Sequence, residues 1–474
     1  MRRLAWVACL LALPLGPALA QQKPVQPGPS LGMELTVYNI RLALVKDLRT
    51  LSLTKGLNEV EFTDIPSELE PTSVHLRSLT APDAVVLREQ SFRDGVADDP
   101  MILDSYFGGP VTVRRAEGNA PPTVITGELL SFDGFGDIVT VKTADKIVVC
   151  KLGALELPLA PDGLTTRPTL NWSVESSQAA THKVEVSYLT NQVMWSADYV
   201  AIVNADDSLA DLKAWVTVSN HSGATFPNTR LKLVAGDVQR LEPPRPPAQT
   251  LGTPQGELQA IMAGEPPVKL KAFFEYHLYT LARPTTVRDN ESKQIEFLTT
   301  TNIPVKKLYL FDGQDQKLDY EGRGKCRVKV ELINSQKDNL GMPLPKGKVR
   351  VYKADDDQSH QFVGEDVIDH TPKDEKVRLY VGNAFDVVGE RHELDRKQLD
   401  ENTYESAVEV KLRNHKTQDI TVACVEHASG DWQILKESMP STKKDAQTFE
   451  YSVPVPKDGE ATVTYTIRVT RTEE

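Results

Sequence analysis

From Met33 onward, apolar and polar residues alternate in runs of only a few positions, as in ELTVYNI, NEVEFTDI, TSVHLRSL and AVVLREQSF. Gly, Pro, Asn or Asp bounds each run. Successive side chains on a strand point to opposite faces, so a period of two buries one face and leaves the other wet. With turn residues between the runs, this is the chemistry of antiparallel strands. The expected fold class is therefore mainly β and multidomain, with antiparallel β-sandwich-like domains and a small β-barrel near the N-terminus.

The 474 residues are enough for roughly three domains. Composition shifts divide the chain further. Residues 1–20 read as a signal peptide and 21–32, QQKPVQPGPSLG, as a Pro/Gly tether. A β domain is expected over 33–100, and DDPMILDSYFGG near its end has room for one short helix capped by Asp98 or Asp99. Five brief strands separated by tight turns over 101–165 suit a small barrel. A β-sandwich region is expected over 166–324, interrupted by a Pro-dense loop at 241–270. A C-terminal β-sandwich completes the chain over 325–474.

The start, MRRLAWVACLLALPLGPALA, has two arginines, an apolar run too short to span a bilayer, and small residues before Gln21. It places the protein outside the cytoplasm, periplasmic or secreted, with no transmembrane segment. A formal charge of −12 opposes nucleic acid and anionic lipid as partners. Cys9 lies within the leader. The remaining Cys150, Cys326 and Cys424 are odd in number and widely spaced, which suits buried thiols better than a disulfide framework.

EVKLRNHKTQDITVACVEH, Glu409 to His427, reads as a hairpin in which Val410 and Leu412, then Ile420, Val422 and Cys424, face inward. Cys424 and His427 are three apart and cannot share a metal on a regular strand. WVTVSNHS, VKVELINSQ and VEVKLRNHKT each end an alternating run on Asn, which tolerates the left-handed backbone of a turn. No catalytic residue, cofactor or metal site is expected.

Some segments carry polar groups that could meet a ligand. In FFEYHLYTLARP, Glu275, His277 and Tyr279 share one strand face. GEDVIDHTPKDEKV gathers Glu365, Asp366, Asp369 and His370. GMPLPKGKVRVY has the wrong spacing for a phosphate loop, and its prolines lack N–H donors, so it reads as a rigid inter-strand turn. Trp195 alternates with Val193, Ala197 and Tyr199 and belongs in a core, while Trp215 shares its face with Lys213, Thr217 and Ser219. The candidate ligand-binding residues are Glu275, His277, Glu365, Asp369, His370 and Trp215.

Several stretches together, among them VYNIRLALVKDLRTLSL, VEVSYLTNQVMWSADYVA, WVTVSNHSGATFPNTRLKLVAGDV, EYHLYTLARPTTVRDNESKQIEF and GEDVIDHTPKDEKVRLYVGNAFDV, resemble an exported bacterial family. Its shared C-terminal domain is known as the domain of unknown function numbered 4139. The mucoidy inhibitor family is a more distant relative, and this chain lacks the long heptad insert of that family. The resemblance implies an extracytoplasmic β-rich protein and supplies no catalytic residue. The function expected is a non-catalytic binding or structural module of the cell envelope, with a protein or glycan partner. The alternative is an envelope hydrolase acting on a polysaccharide through paired carboxylates.

Overall fold

The computed structural model describes residues 24–471 apart from 94, 96–105, 116–121, 134–137, 152–153, 159–166, 237, 241–267, 274–275, 315, 317, 356 and 358. The leader, most of the Pro-dense loop and nearly all of the helical turn expected after Asp98 lie outside the described residues. The described chain is almost wholly β, with three 3-10 turns. It divides into two compact units, and both are assembled from separated stretches. The first takes the described residues up to Glu34, then Leu44–Asn191 and His221–Thr229. The second takes Leu35–Ala43, Gln192–Asn220 and the chain from Arg230 on.

In the first unit, strand Thr169–Ser176 lies between Gly56–Phe62 and Val85–Arg93, antiparallel to both. Trp172 is fully buried there, stacks on Phe62 at 5.1 Å, and donates its indole N–H to Gln90. The stretch read as a tether is held from Val25 on. Val25, Gly28 and Leu31 donate backbone N–H to the carbonyls of Glu59, Thr50 and Leu48. Prolines 24, 27 and 29 lack a backbone N–H, so the donors come from the other residues of the stretch.

Residues 110–156 form a five-stranded antiparallel sheet in the order Ala154–Glu156, Pro110–Arg115, Thr123–Asp133, Ile138–Lys142, Ile147–Lys151. One face buries Val111, Val113, Leu129, Val139, Val141 and Cys150. A register shift between Leu129 and Ser131 interrupts its longest strand, a feature that bends a sheet.

The second unit is built around strand Glu291–Asp312. Its first part, Glu291–Pro304, pairs antiparallel with Leu209–Asn220. Its last part, Val305–Leu310, pairs with Arg323–Ile333, and Tyr309–Asp312 also runs parallel to Val422–Val425. Beyond Leu209–Asn220 the sheet continues through Val193–Val203, Gly347–Ala354 and His360–Ile368. Beyond Arg323–Ile333 it continues through Lys376–Gln398, Thr403–Asn414, Gly459–Thr470 and Asp431–Glu437. Inward residues of these C-terminal strands meet those of Ile420–His427 and Thr448–Val455 in one core, a sandwich-like arrangement. Phe449 lies edge-on to Tyr451 and Tyr465 within it.

Glu409 to His427 is not a hairpin. Thr403–Asn414 pairs with Lys376–Gln398 and Gly459–Thr470, whereas Ile420–His427 pairs with Glu291–Asp312 and Thr448–Val455. The polar link between them stays at the surface, with His415 and Thr417–Asp419 exposed, and carries the chain from one layer to the other. Each strand keeps its apolar face inward, which alternation alone cannot distinguish from a hairpin.

The recurrent strand-end asparagines also differ from expectation. Asn220, Asn334 and Asn414 are fully buried and none has positive φ. Each spends its amide on backbone carbonyls. Asn220 donates to Arg288, Asn334 to Met342 and Pro372, and Asn414 to Gln418 and Pro456, at 2.8–3.0 Å. They are staples that satisfy loop carbonyls at the rim of the core, where no strand is available to pair with them.

Candidate functional site

Strand Tyr276–Leu281 pairs with Val268–Phe273 on one side and with the end of Phe226–Ala235 on the other. This places Tyr276, His277 and Tyr279 beside Ala235 and Gly236. Gly236 has φ +138°, and a Cβ there would lie 2.6 Å from Tyr276 Cδ1, so the ring needs glycine beneath it. Two loops, at 343–344 and 370–372, complete a pocket of about 430 Å³.

Those loops are fastened to each other and to the strands. Leu344 and Thr371 exchange both backbone hydrogen bonds, at 2.8 and 2.9 Å. Tyr279 Oη donates to the Pro343 carbonyl at 3.0 Å, and Tyr199 Oη to that of Pro345 at 2.7 Å. Asn334 holds the carbonyls on either side of the pair, Met342 and Pro372. The GMPLPKGK segment is thus a rigid wall.

Among the described residues, the lining holds no Asp, Glu, Lys or Arg. It combines the rings of Tyr276, Tyr279, His277 and His370 with Pro343, Leu344 and Pro372. Burial raises the pKa of Tyr279, and burial together with the nearby Tyr276 raises that of Tyr38, so both phenols stay neutral hydrogen-bonding groups. His370 Nδ1 accepts from the Lys346 backbone N–H at 3.1 Å. A backbone N–H can only donate, so the His370 proton sits on Nε2, which faces the Asn39 amide at 3.5 Å. With that proton on Nε2, the Asn39 amide oxygen is the atom that can accept it. His277 Nδ1 is enclosed and has no hydrogen-bond partner. Enclosed polar atoms are nearly always paired, so this one marks where a ligand's polar group would be received.

Of the residues singled out in the sequence, His277 and His370 are brought together here, 93 positions apart in the chain. Glu275 lies outside the described residues. Glu365 stands on an open sheet face, 3.4 Å from Lys348 and 3.8 Å from Arg350. Arg350 also reaches Asp198 at 3.5 Å, and Asp198 is the register partner of half-buried Trp215. Asp369 is exposed beside Lys346. Sequence reasoning missed Tyr38, Asn39, Tyr276 and Gly236, whose only local signal is a glycine ending an apolar run at VAG.

The Thr371 hydroxyl donates to the Asp369 carbonyl at 2.8 Å and is not set against a base. Among the described residues, no group of three His, Cys, Asp or Glu side chains could hold a metal ion. No helix among them is long and apolar enough to cross a membrane.

The fold and pocket define a mainly β protein of packed, mainly antiparallel sheets with an aromatic recess. Residues 184–472, more than half of the chain, match the family described as Domain of unknown function (DUF4139), and the chain belongs to that family. All residues lining the pocket fall within the match, while Tyr38 and Asn39 precede it. No curated protein matches the chain.

Proposed function

We propose that this protein is an exported component of the cell envelope that binds a neutral glycan and performs no chemistry on it. The observation that carries this reading is the enclosed, unpartnered His277 Nδ1 in a wall of aromatic rings and prolines with no Asp, Glu, Lys or Arg among its described residues. Sugars present C–H faces that pack on rings, and hydroxyls that serve neutral donors and acceptors alike. The pocket lies within the roughly 300–1,000 Å³ usual for small-ligand sites. Export rests on the leader MRRLAWVACLLALPLGPALA, and sequencing of the mature N-terminus should read from Gln21.

Of the carboxylates singled out in the sequence that are described, Glu365 is in ion pairs and Asp369 is in solvent, which supports binding over hydrolysis. Titration with β-1,4-linked N-acetylglucosamine oligomers tests the proposal. Binding should be saturable and fall about tenfold or more in His277→Ala, the cost expected for a lost buried hydrogen bond and ring contact. Equal affinity in parent and variant overturns it. Preference for a peptide would favour a protein partner. Release of reducing ends that Glu365→Gln abolishes would establish the hydrolase instead.

A further inference from the structure

A second cavity, of about 230 Å³, lies in the same unit and shares no lining residue with the His277–His370 pocket. Val203, Val328, Val330, Val351, Val363 and Val381 form its apolar body. Lys307, Lys353, Lys416 and Asp207 also line it, and Lys416 is paired with Asp386 at 3.7 Å, which leaves one positive charge in excess.

These cations are not equivalent. Lys353 donates to Asp207 and to the carbonyls of Asn204 and Ala205, which uses its three N–H groups. Lys307 donates to Asp207 at 2.9 Å and has donors to spare. Burial works against its charge, but the hydrogen bond to Asp207 and the pull of Tyr309 and Asp207 outweigh that and raise its pKa, so it remains a cation. The Lys307 ammonium lies 5.8 Å from the Tyr309 ring centroid and hydrogen-bonds the phenol. An ammonium can only donate, so the Tyr309 O–H, in a residue only 6% exposed, is left with no acceptor. A buried O–H donor beside an ammonium with an N–H to spare suits an anion.

We propose that this cavity binds a small amphiphilic carboxylate, with its head on Lys307 Nζ and Tyr309 Oη and its body among the valines. Two donors match the two oxygens of a carboxylate, while the lining lacks the arginine forks that favour a phosphate. An apolar cavity of about 150 Å³ accepts benzene, and water takes about 30 Å³ per molecule in the liquid. The cavity should therefore hold about eight heavy atoms, head included, so that a medium acyl chain or an aryl ring fills it.

Calorimetric titration of the full chain with octanoate, 4-phenylbutyrate and 1-octanol tests this. Octanoate should bind once per chain, with 1-octanol about tenfold weaker or more, because the charged head makes the stronger hydrogen bonds. Tyr309→Phe should weaken octanoate about tenfold, leave 1-octanol unchanged and leave urea unfolding unchanged. Lys307→Met should lose more, and Tyr309→Phe decides the matter should that variant fail to fold. Binding of 4-phenylbutyrate but not octanoate supports the carboxylate head and assigns the body to an aryl acid. The proposal fails if 1-octanol binds as tightly as octanoate, if neither acid binds at millimolar concentration, or if Tyr309→Phe binds both acids as the parent does.

Discussion

Asn334 donates its side-chain amide to the carbonyl oxygen of Pro372 at 2.9 Å. The same amide reaches Met342 at 2.8 Å, and its Oδ1 accepts from Gly341 N–H at 3.0 Å. Asn334→Ala leaves these buried groups unpaired and should cost about 2–3 kcal/mol in urea unfolding, with looser glycan binding because the pocket wall is freed. Asn334→Asp should cost at least as much. It keeps the shape but turns an acceptor toward carbonyls that need a donor. A milder effect of Asp than of Ala would sink the staple reading.

The tryptophans separate burial from exposure. Trp195 is 3% exposed and donates its indole N–H to the Val234 carbonyl. Trp195→Ala should cost about 3–5 kcal/mol. Trp215 is half-buried beside Asp198 and Glu296, and its replacement by Ala should cost about 1–2 kcal/mol. Denaturant unfolding of both variants checks the order, and the reverse order contradicts the face assignment.

Glu426 gives a pH dependence of definite sign. Burial lifts its pKa above the ordinary value of 4.5, against the charge of Arg391 and the hydrogen bonds of Tyr465 and Arg391. The folded state therefore holds this proton at a pH where the unfolded chain has released it. The stability it contributes is complete below 4.5 and is lost as pH rises through the folded value. The stability of the parent relative to Glu426→Gln should fall over that rise, as read by unfolding at a series of pH values.

Asp207 behaves in the opposite sense. Burial opposes its charge, but the hydrogen bonds and charges of Lys353 and Lys307 prevail and hold its pKa below the ordinary 3.8. Its contribution is present above 3.8 and lost as pH falls through the folded value. The advantage of the parent over Asp207→Asn should shrink on acidification, and a gap that widens in acid contradicts the assignment.

The thiols should be silent in the native state. Cys150, Cys326 and Cys424 are free and buried. Burial pushes Cys326 up to about 12 and Cys424 well above its ordinary value. A thiol reagent at mild alkaline pH should find none of these three until the chain is unfolded, then all of them. Rapid labelling of Cys424 before unfolding contradicts this.

Alternation revealed which faces are buried but not which strands are neighbours. Val410, Leu412, Val422 and Cys424 face the core as their spacing requires, yet the two strands belong to opposed layers, because a short polar link permits either a hairpin or a crossing. Cys424, Val425 and Glu426 are all buried in succession, which breaks the period. Glu426 is tolerated there because Arg391 and Tyr465 meet it from distant strands. The asparagine echo was visible, but its hydrogen-bond partners lie up to 68 residues away and leave no local trace. The same holds for His277 with His370 and for Lys307 with Asp207. Each residue is ordinary on its own strand, and only pairing across the sheet makes a site.

The interleaving of the two units bears on how the protein is made. Leu35–Ala43 belongs with residues beyond Gln192, and strand Gly32–Tyr38 is flanked on one side by Phe226–Ala235. At ribosomal speeds of about 5–20 residues per second, that apolar strand emerges on the order of ten seconds or more before its neighbour. During that interval its open edge is a substrate for holding chaperones, proteases or another nascent copy. Residues 35–43 are therefore where slowed translation or crowded synthesis should first become visible as aggregation.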